Sequence, residues 1–243
     1  MVNVRKSKKR RSFFARLLRA VLVVLAILIA IPVILVPVYS VVDPVSMPML
    51  ARYLAGRPVI REWRGIDLVS DRLKASVVMS EDGGFCRHPG VDLGALREEF
   101  DAWRRGEEAR GASTITMQVA RNLFLWNDGA VLRKVIEIPL ALYLDVVLSK
   151  RRIMEIYLNI AEWGPDGQFG VEAGAQAAFG VDADALSWER AALLTVALPN
   201  PMLRLPANPN GGLRRVAQIV EARTRQYGER ANCLAGDSAL DLD

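Results

Sequence analysis

Histidine and cysteine are scarce in this chain of 243 residues, which has one histidine and two cysteines. Structural zinc sites usually take four cysteine or histidine ligands, so we expect no such site. The chain also lacks the patterns G-x-S-x-G, S-x-x-K and H-E-x-x-H, and it has no Gly-Lys pair. These absences exclude the α/β-hydrolase nucleophile, the S-x-x-K serine acyl-enzymes, the zincin metalloproteases and the P-loop nucleotide site. Carboxylates, hydroxyls and basic side chains remain as candidates for chemistry.

Excess basic charge is confined to one end of the chain. The formal net charge is +5, and residues 1–19 contain eight basic groups and no acidic group. The remaining residues carry 24 basic and 27 acidic groups, which is a net charge of −3. A nucleic-acid-binding domain should carry its basic surface on the folded body. We therefore expect no nucleic-acid partner.

An uncharged, apolar run of 23 residues, 20–42, follows the basic segment. About 20 apolar residues suffice to cross the hydrocarbon core, and a basic flank stays in the cytoplasm. A cleaved signal peptide is the alternative, but its apolar region is usually ~7–15 residues long. The end of this run, "VYSVVDP", also has no Ala-x-Ala cleavage site. We therefore predict an uncleaved transmembrane helix, with residues 1–19 as a cytoplasmic tail and the rest of the chain exported.

The exported part shows helical periodicity and no clear alternating strand pattern. We predict a mainly α fold. Ser113 is a candidate N-cap for a helix that runs to Leu125, and Gly164 is expected to end the helix in "KRRIMEIYLNIAEWG". Pro139 should bend the long helix between these two.

Composition suggests where the exported domain begins and ends. Residues 43–67, which contain proline and glycine, are predicted to be a linker, residues 68–228 the folded domain, and residues 229–243 a polar C-terminal tail. An exported domain permits a disulfide. Cys233 lies in the predicted tail, however, so its pairing with Cys86 stays open.

Two carboxylates stand out because of the charged residue beside them in the sequence or on the same helical face. Glu81 is followed directly by Asp82 at a predicted helix end, and adjacent acids disfavour double ionisation. We expect this repulsion to raise the pKa of one of the two towards that of a useful base. Glu137 follows Arg133 by four residues on one helical face, where an i,i+4 salt bridge is the simplest interpretation.

A polar helix start precedes a cluster of basic residues. Ser113, Thr114 and Gln118 lie at a predicted helix N-terminus, where backbone N–H groups favour an anion. Arg121 and Lys134 follow at short distance along the sequence. Hydroxyl, amide and cationic groups around one helix end suit phosphate oxygens. A solvated charged face is the alternative interpretation.

Four stretches in a fixed order resemble a known family. "EDGGFCRHPGVD", "GASTITMQVARNLFLW", "RKVIE" and "KRRIMEIYLNIAEWG" resemble the successive motifs of glycosyltransferase family 51, the peptidoglycan polymerases. The resemblance covers about residues 68–201. It favours a monofunctional member, because the residues of a transpeptidase are absent. It implies a lysozyme-like, two-lobed glycosyltransferase domain behind the transmembrane helix.

The resemblance also implies roles for individual residues. Glu81 would be the general base, and Glu137 would orient the neighbouring cations or assist the departing group. The implied binding set, in which Phe85 and His88 shape the turn that holds Glu81, comprises Asp82, Phe85, His88, Ser113, Thr114, Gln118, Arg121, Arg133, Lys134, Lys150 and Asn159. Met117 departs from the family motif, where a glutamine is common, and Arg121 stands where lysine is common.

The expected substrates are lipid II and the growing glycan-lipid, polymerised at the bacterial inner membrane with the domain on the periplasmic side. The resemblance allows a divalent cation, Mg²⁺ or Mn²⁺, at the pyrophosphate, although no ligand set is visible. Penicillin-binding transpeptidases and division proteins are candidate partners. Two alternatives stay open, namely a lytic enzyme that cuts peptidoglycan with one glutamate and a membrane-anchored cell-wall scaffold.

Overall fold

The structure, a computed structural model, describes residues 3–107, 111–125, 130–236 and 238–242. It divides into two units, Met1–Val41 and Val42–Asp243. Ten α-helices occur in the described residues: α1 (Asn3–Val38), α2 (Met47–Leu54), α3 (Asp71–Glu81), α4 (Leu93–Arg104), α5 (Ile115–Phe124), α6 (Ala130–Val147), α7 (Lys150–Ile160), α8 (Val171–Phe179), α9 (Trp188–Ala197) and α10 (Gly211–Tyr227). Two short 3₁₀ helices, Ile66–Leu68 and Gly228–Leu234, complete the set. Extended pairing in the described ranges is limited to two isolated bridges, so the predicted mainly α fold is confirmed.

The first unit contains the apolar helix that the sequence predicted. Its segment Phe13–Val38 is long and apolar enough to cross a membrane, at 26 residues or about 39 Å. The helix ends at Val38 rather than at residue 42, because the chain turns at residues 39–41. By length and composition α1 is compatible with a single membrane anchor.

The second unit includes residues that were expected to be a linker. Within 43–67, helix α2 begins after Ser46, whose hydroxyl accepts a hydrogen bond from the backbone N–H of Met49 at 3.4 Å. Both Ser46 and Met49 are fully buried, and α2 packs against α5. Ile60 forms a bridge with Gln168. This segment is therefore part of the folded domain.

The C-terminal residues also belong to the folded domain. The 3₁₀ helix Gly228–Leu234 packs against α3, and Ala231 and Leu234 are fully buried there. Cys233 in this helix forms a disulfide with Cys86, which settles the open pairing. Burial of apolar side chains, rather than the polar composition of the segment, decides its place.

Helix α3 lies at the centre of the domain. Leu73, Val77 and Val78 are fully buried, and α3 packs against α9, α10 and the C-terminal 3₁₀ helix. Helix α5 is likewise interior and packs against α6 and α7. Truncating a buried leucine to alanine costs about 2–5 kcal/mol. The two helices that carry the candidate site are thus held rigidly by the core.

Two predicted helix ends differ from the structure. The N-cap of α5 is Thr114 rather than Ser113, because the Thr114 hydroxyl accepts the Met117 N–H at 3.1 Å. Helix α7 ends at Ile160 rather than at Gly164, since the following residues are extended and form the Glu162–Phe169 bridge.

Candidate active site

Glu81 ends helix α3 with a carboxylate that is mostly removed from solvent. Its Oε2 accepts a hydrogen bond from Nε2 of Gln118 at 3.2 Å, and its Oε1 accepts one from Oγ of Ser80 at 3.3 Å. Burial raises the pKa of Glu81, whereas these hydrogen bonds and the charges of Arg204 and Arg121 act in the opposite direction. The balance gives a carboxylate that is a stronger base than an exposed glutamate.

Asp82 does not raise that pKa, although the sequence suggested such repulsion. The buried Asp82 side chain turns to other partners, and its Oδ1 lies 2.9 Å from Nε2 of His88. Its Oδ2 accepts the backbone N–H of Ile115 at 3.0 Å. Desolvation, rather than a neighbouring acid, is therefore the cause that lifts the pKa of Glu81.

The N-terminus of α5 is predicted to bind a phosphate. In the structure it binds the carboxylate of Asp82 instead. The Ile115 N–H points at the Asp82 carboxylate, and the Met117 N–H is taken by Thr114. A carboxylate at a helix N-terminus is favoured by the helix dipole. Asp82 thus joins the end of α3 to the start of α5, and it sets the distance between Glu81 and Gln118.

Phe85, which is fully buried, anchors the turn after Asp82 in the core. Nζ of Lys150 lies 4.6 Å from the centre of the Phe85 ring and donates to the carbonyl of His88 at 2.8 Å. The same ammonium forms an ion pair with Asp145 at 2.5 Å. Lys150 therefore supports the turn, together with His88.

Gly90 closes this turn against α6. Its φ of +81° lies in the left-handed region, and a Cβ atom there would come within 2.5 Å of the carbonyl oxygen of Ala141. The Thr114 hydroxyl donates to the Gly90 carbonyl at 2.6 Å. Only glycine fits such a backbone approach, so the turn and the start of α5 are fixed together.

Tyr157 is a site residue that the sequence reasoning missed. It is buried on α7, and its hydroxyl donates to Oε1 of Gln118 at 3.2 Å. Burial and, to a smaller extent, the charge of Glu81 raise the pKa of Tyr157 well above its usual value, so it remains a donor. The phenol thereby fixes the Gln118 amide with its NH₂ group towards Glu81.

The cations of α6 are each paired with a carboxylate. Nε of Arg133 lies 2.7 Å from Oε1 of Glu137, whose side chain is 1% exposed, so the predicted i,i+4 pair is present. Nζ of Lys134 lies 2.7 Å from both carboxylate oxygens of Glu99 on α4. Glu99 was not predicted, because 35 residues separate the two partners.

Asn159 differs most from its expected role. Its side chain is fully buried, and Nδ2 donates to the carbonyls of Arg64 and Glu155, at 2.8 Å each. Its Oδ1 accepts the N–H of Arg64 at 2.8 Å. The two contacts with Arg64 hold its backbone against α7, and the contact with Glu155 lies within α7. We therefore assign Asn159 a structural role instead of the substrate contact expected above.

Comparison with known proteins shows the family of this chain. The family model described as Transglycosylase matches residues 49–224. The chain belongs to the transglycosylase family. A protein of Mesorhizobium japonicum named biosynthetic peptidoglycan transglycosylase is 54% identical over 229 residues, which cover 93% of this chain and 96% of that protein. Proteins with the same name from Rhodopseudomonas palustris (strain HaA2) and Agrobacterium fabrum are 51% and 46% identical, over 86% and 91% of this chain and 93% and 98% of theirs.

The transglycosylase match begins inside α2, which agrees with the packing of that helix on α5. It includes each of the acidic and basic side chains described above, from Glu81 to Arg204. In the part of the chain that the structure describes, no group of three His, Cys, Asp or Glu side chains could hold a metal ion.

Proposed function

We propose that this transglycosylase polymerises lipid II into β-1,4-linked glycan strands for the bacterial cell wall. The growing glycan-lipid is the donor, and a new lipid II is the acceptor. The observation that carries the proposal is Glu81, a carboxylate whose pKa is raised by burial and whose orientation is fixed by Gln118. Glu81 lies in the field of Arg204 and Arg121, whose positive charges suit an anionic substrate.

In the proposed reaction Glu81 is the general base. The acceptor GlcNAc 4-hydroxyl attacks C1 of the donor MurNAc, and its proton passes to the Glu81 carboxylate. The new C1–O bond forms as the bond from C1 to the pyrophosphate oxygen breaks, with inversion at C1. The electron pair leaves with undecaprenyl pyrophosphate. A general base contributes ~10²–10⁴-fold when its pKa is near the working pH.

The departing pyrophosphate needs positive charge rather than a proton donor. Arg133 and Lys134 are adjacent on α6 and supply that charge in this proposal, with Arg121 on α5 as a third cation. Glu137 fixes Arg133 through their 2.7 Å ion pair. Fixed charges in a site shielded from water stabilise developing negative charge without having to reorganise. A divalent cation, Mg²⁺ or Mn²⁺, would be held chiefly by the pyrophosphate oxygens, and no step depends on it.

The location of the enzyme follows from the chemistry of its substrate. Lipid II is embedded in a bilayer, and α1 is long and apolar enough to anchor the domain there. We propose a single span in the inner membrane, with residues 1–19 cytoplasmic and a two-lobed, lysozyme-like domain in the periplasm. Penicillin-binding transpeptidases, which cross-link glycan strands, and division proteins are the proposed partners.

A lytic enzyme is the second candidate, because a glutamate with a raised pKa also suits a general acid. The purified full-length protein in detergent is incubated with labelled lipid II and, separately, with finished glycan strands. We expect long polymer from lipid II and no fragments from the strands. Fragments from the strands would favour the lytic enzyme, and no product from either substrate would favour a scaffold. Either result overturns the proposal.

A further inference from the structure

Lys134 is held by a carboxylate that has no part in the reaction above. Its Nζ lies 2.7 Å from each oxygen of Glu99, and Oε2 of Glu99 also accepts the backbone N–H of Ala112 at 3.1 Å. The Lys134 side chain is 30% exposed and that of Glu99 is 18% exposed, so water screens the pair only in part. Three helical or loop segments, namely α4, the loop before α5, and α6, meet at this carboxylate.

The donors around Glu99 are those that bind phosphate. An ammonium group and a backbone N–H ahead of a helix are common partners of phosphate oxygens. The Glu99 carboxylate has the right charge and two oxygens to satisfy both. A phosphate oxygen that reaches Lys134 must therefore share its ammonium protons with Glu99 or displace it.

Helix α4, which carries Glu99, makes few buried contacts, so the Glu99 carboxylate can move. None of the residues of α4 is fully buried, and three of its large apolar side chains, Leu93, Phe100 and Trp103, are exposed. Glu99 supplies two of its polar links to the rest of the domain, to Lys134 and to Ala112. A helix with few buried contacts opens at lower free energy than one in the core.

We propose that Glu99 is an internal competitor of the pyrophosphate. Before the substrate binds, Glu99 holds Lys134 and Ala112 in place, and the lipid pyrophosphate then displaces its carboxylate from Lys134. The same competition weakens binding of the pyrophosphate product, and it favours release. This inference rests on the proposed function, because it requires Lys134 to contact the pyrophosphate.

The test measures binding of inorganic pyrophosphate to the full-length protein in detergent by calorimetry, at low and high salt. The wild type is compared with E99Q, E99A, K134A and the control E98Q. Glutamine keeps an oxygen for the Ala112 N–H but removes the competing charge. Glu98 is exposed and lines the same groove as Glu99, so E98Q makes the same change in net charge without an ion pair to Lys134.

We expect E99Q to bind pyrophosphate about tenfold tighter, which is about 1.4 kcal/mol, and E98Q to stay within twofold of wild type. The difference should shrink at high salt, because the competition is electrostatic. Unchanged or weaker binding by E99Q refutes the inference, as does equal tightening by E98Q. Thermal unfolding checks each variant, and E99A replaces E99Q in the comparison if the latter does not fold.

The K134A variant tests whether Lys134 binds the pyrophosphate, independently of whether Glu99 competes with it. We expect K134A to lose most of the pyrophosphate affinity. If K134A loses affinity while E99Q gains none, the pyrophosphate site stands and only the competition is wrong. If K134A binds as the wild type does, the site proposed for the leaving group lies elsewhere, and the inference falls with it.

Discussion

Replacing Tyr157 by phenylalanine tests the arrangement around Glu81 with the loss of one oxygen atom. The ring is retained, so packing on α7 should change little. The lost hydrogen bond to Oε1 of Gln118 removes the contact that fixes the direction of that amide, so its NH₂ group is held towards the Glu81 carboxylate less firmly. The variant therefore weakens the contact that holds the base without touching the base itself.

The expected effect follows from the value of one hydrogen bond. A neutral hydrogen bond contributes about 0.5–1.5 kcal/mol, so the polymerisation rate at neutral pH should fall about 2- to 13-fold. The Gln118 contact lowers the pKa of Glu81, so its loss should raise that pKa further. A base works only when ionised, so the acid limb of the rate profile should move to higher pH. The loss of rate should then be largest at low pH and smallest at high pH.

The assay is polymerisation of labelled lipid II from pH 5 to 9 by the full-length wild type, Tyr157→Phe and the control Tyr53→Phe. Tyr53 is exposed on α2, and its removal should change neither the rate nor the profile. A Tyr157→Phe enzyme with the wild-type rate and an unmoved acid limb would refute the role that we assign to the Tyr157 hydroxyl. A uniform loss of rate at every pH would indicate general disruption instead.

Three further predictions concern the other parts of the domain. Glu81→Gln should reduce polymerisation by ~10²–10⁴-fold while the circular dichroism melting curve stays close to wild type, and activity within a few-fold would rule out Glu81 as the base. The variants Arg133→Ala and Lys134→Ala should each bind a donor-mimicking phosphoglycolipid at least several-fold more weakly than the wild type. Unchanged affinity in both variants would show that the pyrophosphate binds elsewhere. The double variant Cys86→Ser with Cys233→Ser should lose about 2–5 kcal/mol of stability in denaturant unfolding, because the bridge closes a long loop. A midpoint equal to that of the oxidised wild type would show that the C-terminal segment stays docked without the bridge.

The helices were predictable where polar and apolar residues alternate at helical spacing after a serine or threonine cap, as in α5 and α7. The short helix α2 was not, because eight residues with a proline near the start carry too little periodicity. The composition of the C-terminal segment predicts a tail, because its buried side chains, Ala231, Leu234 and Leu240, are sparse among polar residues. Its place is set by packing against α3, which no local pattern reveals.

Within the site, the sequence identified chemical groups better than it identified their partners. Glu81, Gln118 and the Arg133–Glu137 pair could be found from motif order and helical spacing. The contacts of Gln118 with Tyr157 and of Lys134 with Glu99 span 39 and 35 residues, so they depend on how the helices pack. For the same reason the sequence could not show that burial, rather than Asp82, raises the pKa of Glu81.

The bridge between Cys86 and Cys233 has a consequence for a domain that a protease has cut. It joins positions 147 residues apart, so α4 to α10 all lie inside one covalent loop. The stretch between α9 and α10 contains exposed side chains such as Leu203 and is open to proteolysis. A single cut there leaves two polypeptides that remain one molecule, with Glu81 on the first piece and Cys233 on the second. Such a nicked enzyme would migrate as one band until a thiol is added, and it would retain every group needed for the reaction.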